Sequence, residues 1–268
     1  MRYSNLHTHT TFSDGKHDPE TNILSAIEKN MCSLGFSDHS FTEPDTSYCM
    51  KKEQYSAYYR KIMELKTKYA DVLPVYCGLE LDYYSDLDPS LPFDYLIASV
   101  HYIVKDGICY PIDHSPEQQL DCIQNAFDGD LLAMVQCYFD MLCEHVERTR
   151  PTVVGHFDVI TKFSLMPEQD EKYIEIARTA LKRILKTCPY IEINTGAISR
   201  GWRKVPYPSM DLLQLLLESG GKPVLGSDSH HQDNLIFYFD ETVALLKQLG
   251  FKHVYIFNGH GFDPVDIL

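Results

Sequence analysis

The sequence predicts an α/β fold whose parallel strands close into a TIM-like barrel, and two observations carry that expectation. Short apolar runs recur along the 268 residues, and most are followed by a longer segment of helical character, giving seven or eight strand–helix units. Six of the 12 histidines stand at or just past the C-terminal end of a candidate strand. That rim is where a barrel of this class builds its site.

Taken in order, residues 4–9 read as the first strand and residues 19–30 as the first helix. Asp18 is its cap and Pro19 occupies the first helical position. A strand at 33–38 precedes a helix at 51–70, and strands at 74–82 and 94–101 follow. Helices at 116–127 and 130–148 lead to a strand at 152–157 and a helix at 169–186. The pattern continues with a strand at 189–195, a helix at 208–219, a strand at 223–228, a helix at 240–249 and a final apolar run at 253–257. The helices 51–70 and 130–148 read as packing layers. There is no internal repeat, low-complexity tract or Gly/Ser linker, so one domain over residues 1–268 is expected.

Composition narrows the functional classes. A chain that is 44% hydrophobic and 23% charged has the make-up of a soluble globular protein. No apolar run approaches the roughly 18 residues of a membrane span, and "MRYSNLHTHT" lacks a signal-peptide core, so the expected location is the cytoplasm. The eight cysteines, spread from Cys32 to Cys188 without a CxxC pair, read as buried free thiols. A net charge of −14 argues against general nucleic-acid binding but not against a small phosphorylated substrate, because bound metal ions can reverse the field locally.

Alternate residues of a strand share a face, so His7 and His9 of "NLHTHTTFSDG" project together, as do Asp228 and His230 of "VLGSDSHH". In "PVYCGLELDYY", Val75, Cys77, Leu79 and Leu81 would face outward, and Tyr76, Gly78, Glu80 and Asp82 inward. Further strand ends supply His39, His101 and His156, and Asp14 follows in the first loop. Imidazole nitrogens with carboxylate oxygens suit zinc, manganese or iron. The set is too large for one ion; two or three are expected, with Glu80 able to bridge. Any one of these residues alone would be an ordinary loop or rim side chain, and it is their joint occurrence on successive strand ends that signals a site. His17, His114, His145, His253 and His260 lack the pattern and read as surface or core residues. Asp38 and Asp158 read as partners that orient imidazoles or charged groups.

The segments "HTHTTFSDG", "GFSDHS", "GLELDYY", "ASVHY", "GHFD", "EINTGA" and "LGSDSHH" resemble the successive motifs of the PHP (polymerase and histidinol phosphatase) family. The resemblance implies a distorted (β/α)7 barrel with two or three divalent metals. It would give the first metal His7, His9, Glu80 and Asp228, the second Glu80, His101 and His156, and the third Asp14, His39 and His230. Many members have a histidine where this chain has Asp14. The length and "HYIVKDG", "GHFDVITKF" and "EINTGAISRG" look like the stand-alone histidinol-phosphate phosphatases. In that branch basic residues grip the phosphate; Lys162 and Arg200 match them best, with Arg203 and Lys204 next.

The reaction so implied is hydrolysis of L-histidinol phosphate, a metal-bridging hydroxide attacking phosphorus directly. Asp228, His230, Arg200 and Lys162 are then the candidate catalytic residues, and Lys162, Arg200 and His231 the candidate substrate contacts. Glu43, Asp45 or Asp82 are candidates to receive the substrate's amine. A phosphoesterase or exonuclease acting on nucleotides, and a non-catalytic metal-binding module, are the alternative readings.

Overall fold

The computed structural model describes residues 1–165 and 170–268. Four strands come first in the chain: β1 (Ser4–Asn5), β2 (Ser33–Phe36), β3 (Val75–Asp82) and β4 (Tyr95–Ser99). The hairpin β5 (Tyr102–Lys105) and β6 (Ile108–Pro111) follows, and then β7 (Val153–Val154), β8 (Tyr190–Asn194) and β9 (Lys222–Gly226). Seven of these form one sheet in the order β1-β2-β3-β4-β7-β8-β9, every neighbouring pair parallel. Its two edges meet where Thr8 bridges Ser229 in parallel: His9 N donates to Ser229 O at 2.9 Å and Ser229 N to His7 O at 3.0 Å. The barrel is therefore nearly closed, with seven strands.

The run at 253–257 does form a strand, β10 (His253–Phe257), but it pairs antiparallel with β11 (Phe262–Asp266) outside the barrel sheet. The first strand already occupies the edge that an eighth would need. The hairpin β5–β6 is likewise outside the alternating scheme, inserted between β4 and the next helix.

The strand faces divide as period-two alternation requires. On β3, Val75, Cys77 and Leu79 pack outward with Ile23 and Ala26 of α1 (Pro19–Glu28) and with Tyr58, Ile62 and Leu65 of α2 (Tyr55–Lys68). Tyr76 turns inward and joins Leu6, Tyr95, Ile97, Val153 and Val224 in the barrel interior. Tyr95 fills the space above two glycines: a Cβ on Gly35 or Gly78 would fall 2.5 Å from its hydroxyl or ring. A second outer layer, α4 (Leu131–Thr149), α5 (Glu171–Ile184) and α7 (Met210–Glu218), covers the other side of the barrel in one large apolar cluster. Fully burying each such aliphatic or aromatic side chain is worth about 1.5–3 kcal/mol, which is what keeps the strand ends in register.

The predicted helix at 116–127 is shorter, α3 (Pro116–Asp121), and runs on into a π-helical turn over Cys122–Ala126. The helix expected at 169–186 is seen from Glu171; Gln169 at its expected start lies outside the described residues. A short helix, α6 (Gly196–Ser199), follows β8, and α8 (Phe239–Leu249) precedes β10. All eight cysteines are free, and no helix among the described residues is long and apolar enough to cross a membrane.

Candidate metal centre

The C-terminal mouth of the barrel is built by short polar devices that aim side chains inward. Asn5 folds the end of β1: its Oδ1 accepts His7 N at 3.0 Å and its Nδ2 donates to Ser227 Oγ at 2.8 Å, tying the first strand to the last. Asp38 pins the next loop, accepting Thr10 N at 2.8 Å, Ser13 N at 3.1 Å and Ser13 Oγ at 2.7 Å. It therefore orients backbone rather than an imidazole, because the loop that carries Asp14 wraps over it. Asp228 holds φ at 46°, the left-handed region that aspartate tolerates better than most residues.

At the centre is Glu80, buried to 1% exposure. Its Oε2 lies 2.8 Å from His39 Nδ1, 3.2 Å from His7 Nε2 and 3.6 Å from His9 Nε2. Its Oε1 lies 3.0 Å from His156 Nε2 and 3.3 Å from His101 Nε2, and accepts Ser99 Oγ at 2.6 Å. Asp228 divides its oxygens in the same manner. Oδ1 is 3.2 Å from His9 Nε2 and 3.7 Å from His7 Nε2, while Oδ2 takes Arg200 Nη2 at 2.6 Å. At the outer edge Asp14 Oδ1 is 3.2 Å from His230 Nε2 and 3.7 Å from His39 Nε2.

The structure thus draws His7, His9, Asp14, His39, Glu80, His101, His156, Asp228 and His230 to one mouth. Their ligand atoms fall into four overlapping groups: His7, His9 and Asp228; His7, Glu80 and His156; His39, Glu80 and His101; and His9, Asp14, His39 and His230. Within each group the atoms lie inside 4.8 Å of one another. His101 and His156, assigned to one ion by resemblance, touch through their Nε2 atoms at 3.3 Å but fall in separate groups, each with Glu80.

A cation fits this arrangement on its chemistry. His7 Nε2, both ring nitrogens of His9, Glu80 Oε2 and His156 Nδ1 are buried, and the short contacts among them and to His39 and Asp228 lack hydrogen-bond geometry. Buried polar atoms left so are costly, and a divalent ion satisfies several at once. Charge coupling across the cluster is strong. Burial works against protonating His7, but the carboxylates of Glu192, Glu80 and Asp228 outweigh it and raise its pKa well above the ordinary value. For His9, burial followed by the neighbouring His39 and His230 lowers the pKa to about 3. Burial pushes Glu80 upward, yet His7, His39 and His101 hold its carboxyl well below the usual range.

Above the cluster opens a cavity of about 510 Å³ whose wall includes Lys16, Tyr48, Asp113, His114, Lys162, Arg200 and His231. Lys162 Nζ donates to Asp113 O at 2.5 Å and lies 3.2 Å from Asp113 Oδ2. Arg203, the next candidate for phosphate, turns away: it is 8% exposed, donates through Nη1 to Thr161 Oγ1 at 2.6 Å and lies over the Tyr207 ring. Lys204 is exposed and does not line the cavity. His231 is half-exposed on the rim, its ring edge-on to His17.

Several residues depart from expectation. Asp82 is committed to His101, accepting its backbone N at 3.0 Å and lying 3.2 Å from Nδ1, so it orients an imidazole instead of facing substrate. Neither Glu43 nor Asp45 lines the cavity; Asp45 Oδ2 accepts Tyr102 Oη at 3.0 Å. Asp158 Oδ2 accepts Ser209 N at 2.9 Å and so holds the start of α7. His114 is exposed, as expected of a surface residue, but the surface it occupies is the cavity wall, with Nε2 3.0 Å from Tyr102 Oη. His145 keeps to expectation as a satisfied core residue, its Nε2 2.7 Å from Leu81 O. Two residues were missed altogether, Glu192 beneath His7 and Asp113 beside Lys162. Alternation in "YIEIN" carried the only signal for the first: Ile191 and Ile193 face the core, so Glu192 must face the barrel axis.

The PHP domain model matches residues 5–196. A Schizosaccharomyces pombe protein named "Probable histidinol-phosphatase" is 27% identical over 246 residues, covering 82% of this chain and 78% of that protein. The histidinol-phosphatase of Lactococcus lactis is 25% identical over 280 residues, covering 98% of this chain and 97% of the relative. The crystal structure of histidinol phosphate phosphatase from Lactococcus lactis, complexed with Zn, L-histidinol and phosphate, superposes with a TM-score of 0.73 at 22% identity. That match covers 98% of this chain and 99% of the other, and the shared fold is the seven-stranded barrel described above.

Proposed function

From the premise that this chain belongs to the PHP family and is a metal-dependent phosphoesterase, we propose that its substrate is L-histidinol phosphate. One observation carries the choice. The cavity joins the His/carboxylate cluster to three cations, Lys16, Lys162 and Arg200, the last two on the phosphate side, and among the described residues Asp113 is the single lining acid that belongs to none of the four ligand groups. A phosphate monoester whose alcohol carries a cationic amine matches that order of charges. The relatives named as histidinol-phosphatases support the same reading.

His7, His9, Asp228, Glu80, His101, His156, His39, Asp14 and His230 would hold the metals, with Glu80 shared between two of them. Such ions make a bound water acidic near neutral pH and take up charge on phosphoryl oxygens. The chain's own residues do the rest. Lys162 and Arg200 neutralise the non-bridging oxygens as charge shifts during transfer. Asp228 keeps Arg200 in place through Oδ2 and presents Oδ1 to the His7 and His9 nitrogens. Asp113 replaces the three earlier candidates as the acceptor for the amine. No cysteine or serine takes part as a nucleophile.

The test is turnover by protein reconstituted with zinc, manganese or iron. L-histidinol phosphate, p-nitrophenyl phosphate, nucleoside monophosphates and single-stranded DNA are compared by kcat/KM. The highest value is expected on L-histidinol phosphate, and Arg200→Ala should cost roughly a hundredfold or more. Asp113→Asn should raise KM for L-histidinol phosphate more than for p-nitrophenyl phosphate, which has no amine. A higher kcat/KM on a nucleotide or on DNA would reassign the substrate.

A further inference from the structure

We propose that Glu192 is a positioning residue that fixes which nitrogen of His7 carries the proton and aims the other into the cluster, and that Gly226 is glycine to admit it. This rests on the reading that the cluster holds metal. Glu192 is 1% exposed, on the inward face of β8, and both of its oxygens are in use. Oε1 lies 2.7 Å from His7 Nδ1. Oε2 accepts His156 N at 2.8 Å and Asn194 Nδ2 at 2.8 Å.

With a carboxyl oxygen 2.7 Å away, His7 Nδ1 is the nitrogen that keeps its proton as donor, and when a cation displaces the other proton it is Nε2 that offers the lone pair. That nitrogen is the one 3.2 Å from Glu80 Oε2 and 3.7 Å from Asp228 Oδ1, and it contributes to two of the four ligand groups. The other oxygen sets the backbone from which His156 projects. One carboxylate thus couples residues from the segment after β1, the loop after β7, and β8. Glu192 itself belongs to none of the ligand groups, since its oxygens are satisfied from beneath.

Gly226 supplies the independent observation. It faces Asn194 across the β8–β9 pair, and a Cβ built there would lie 1.9 Å from Glu192 Oε1 and 2.6 Å from its Cδ. An alanine at 226 would force Oε1 off His7 while leaving the carboxylate chemically intact. Two distant substitutions should therefore produce one defect.

The full-length protein is stripped, titrated with zinc against a chelator, and compared with Glu192→Gln, Gly226→Ala and the double variant. Each single change should weaken zinc binding by about 10–100-fold. The double variant should be little worse than either single one, because both act through the same hydrogen bond. A general packing role would instead give losses that add. Nitrogen NMR of zinc-loaded wild-type protein supplies a readout that requires no variant to fold: His7 should be protonated on Nδ1. Wild-type protein that takes up zinc while both single variants, still folded by circular dichroism, bind it equally well would overturn this proposal alone. His7 protonated on Nε2 would do the same. Wild-type protein that takes up no zinc would instead remove the metal reading beneath it.

Discussion

Glu80 is placed to be shared between ions in the proposed site, because its two oxygens face different imidazoles. A Glu80→Gln change keeps the shape but removes the charge and turns one acceptor into a donor pair. It should therefore lower metal content by more than one ion per chain, whereas Asp14→Ala, at the edge, should lower it by one or less. Elemental analysis of the two variants against wild type measures the difference, and equal losses would contradict a shared ligand. Most of the side chains gathered at the mouth were legible because period-two alternation places them without knowledge of the fold. The cavity cations Lys162 and Arg200 were ranked first by family resemblance alone: as loop charges Lys162 and Arg203 look equivalent, and it is the packing of Arg203 over Tyr207 and its bond to Thr161 that separate them. Asp113 and Glu192 escaped for a related reason, since each derives its meaning from a partner far away in the chain.

The helix α1 shows how local chemistry sets an element independently of the site. Asp18 accepts Glu20 N at 3.0 Å and Thr21 N at 3.2 Å, with Pro19 at the first helical position. Asp18→Ala should cost about 1 kcal/mol of unfolding free energy at neutral pH. The Thr21 hydroxyl and the backbone N–H groups lower the Asp18 pKa below the ordinary aspartate value of 3.8. The capping contribution is accordingly in full force above that ordinary value and fades as pH falls through the depressed folded one. Chemical denaturation of wild type and variant at pH 7 and at pH 3 checks this: the gap should narrow at acid pH, and a constant gap would mean that the carboxylate charge is irrelevant. The hairpin β5–β6 was equally local yet overlooked. Asp106 and Gly107 have φ of 54° and 78°, as a tight turn between apolar strands demands, and the Asp-Gly pair announces it. The strand at 253–257 was legible as a strand but not as a bystander. Its place depends on where the barrel closes, and closure is set by the bridge between Thr8 and Ser229.

For the whole molecule, the site and the stability of the fold are the same problem. The barrel brings nine His, Asp and Glu side chains from six parts of the chain to one end, and several of their polar atoms are buried without partners. Folding such a mouth without cations leaves desolvated groups that the unfolded chain would hydrate. Metal that binds only the folded state shifts the balance by mass action, about 2.7 kcal/mol for each site held at a hundred times its dissociation constant. For a chain of this size each kcal/mol moves the thermal midpoint by about 2–4 °C, so each filled site should add roughly 5–10 °C. Chelator should lower the midpoint of the purified protein, and zinc or manganese should restore it. In Glu80→Gln the chelator-dependent part should shrink, because two ligand groups lose their common carboxylate. Calorimetric scans of both proteins, with and without chelator, measure it. A wild-type midpoint indifferent to chelator would mean that the buried imidazoles and carboxylates already balance one another, and that the convergence of strand ends has some other cause than metal.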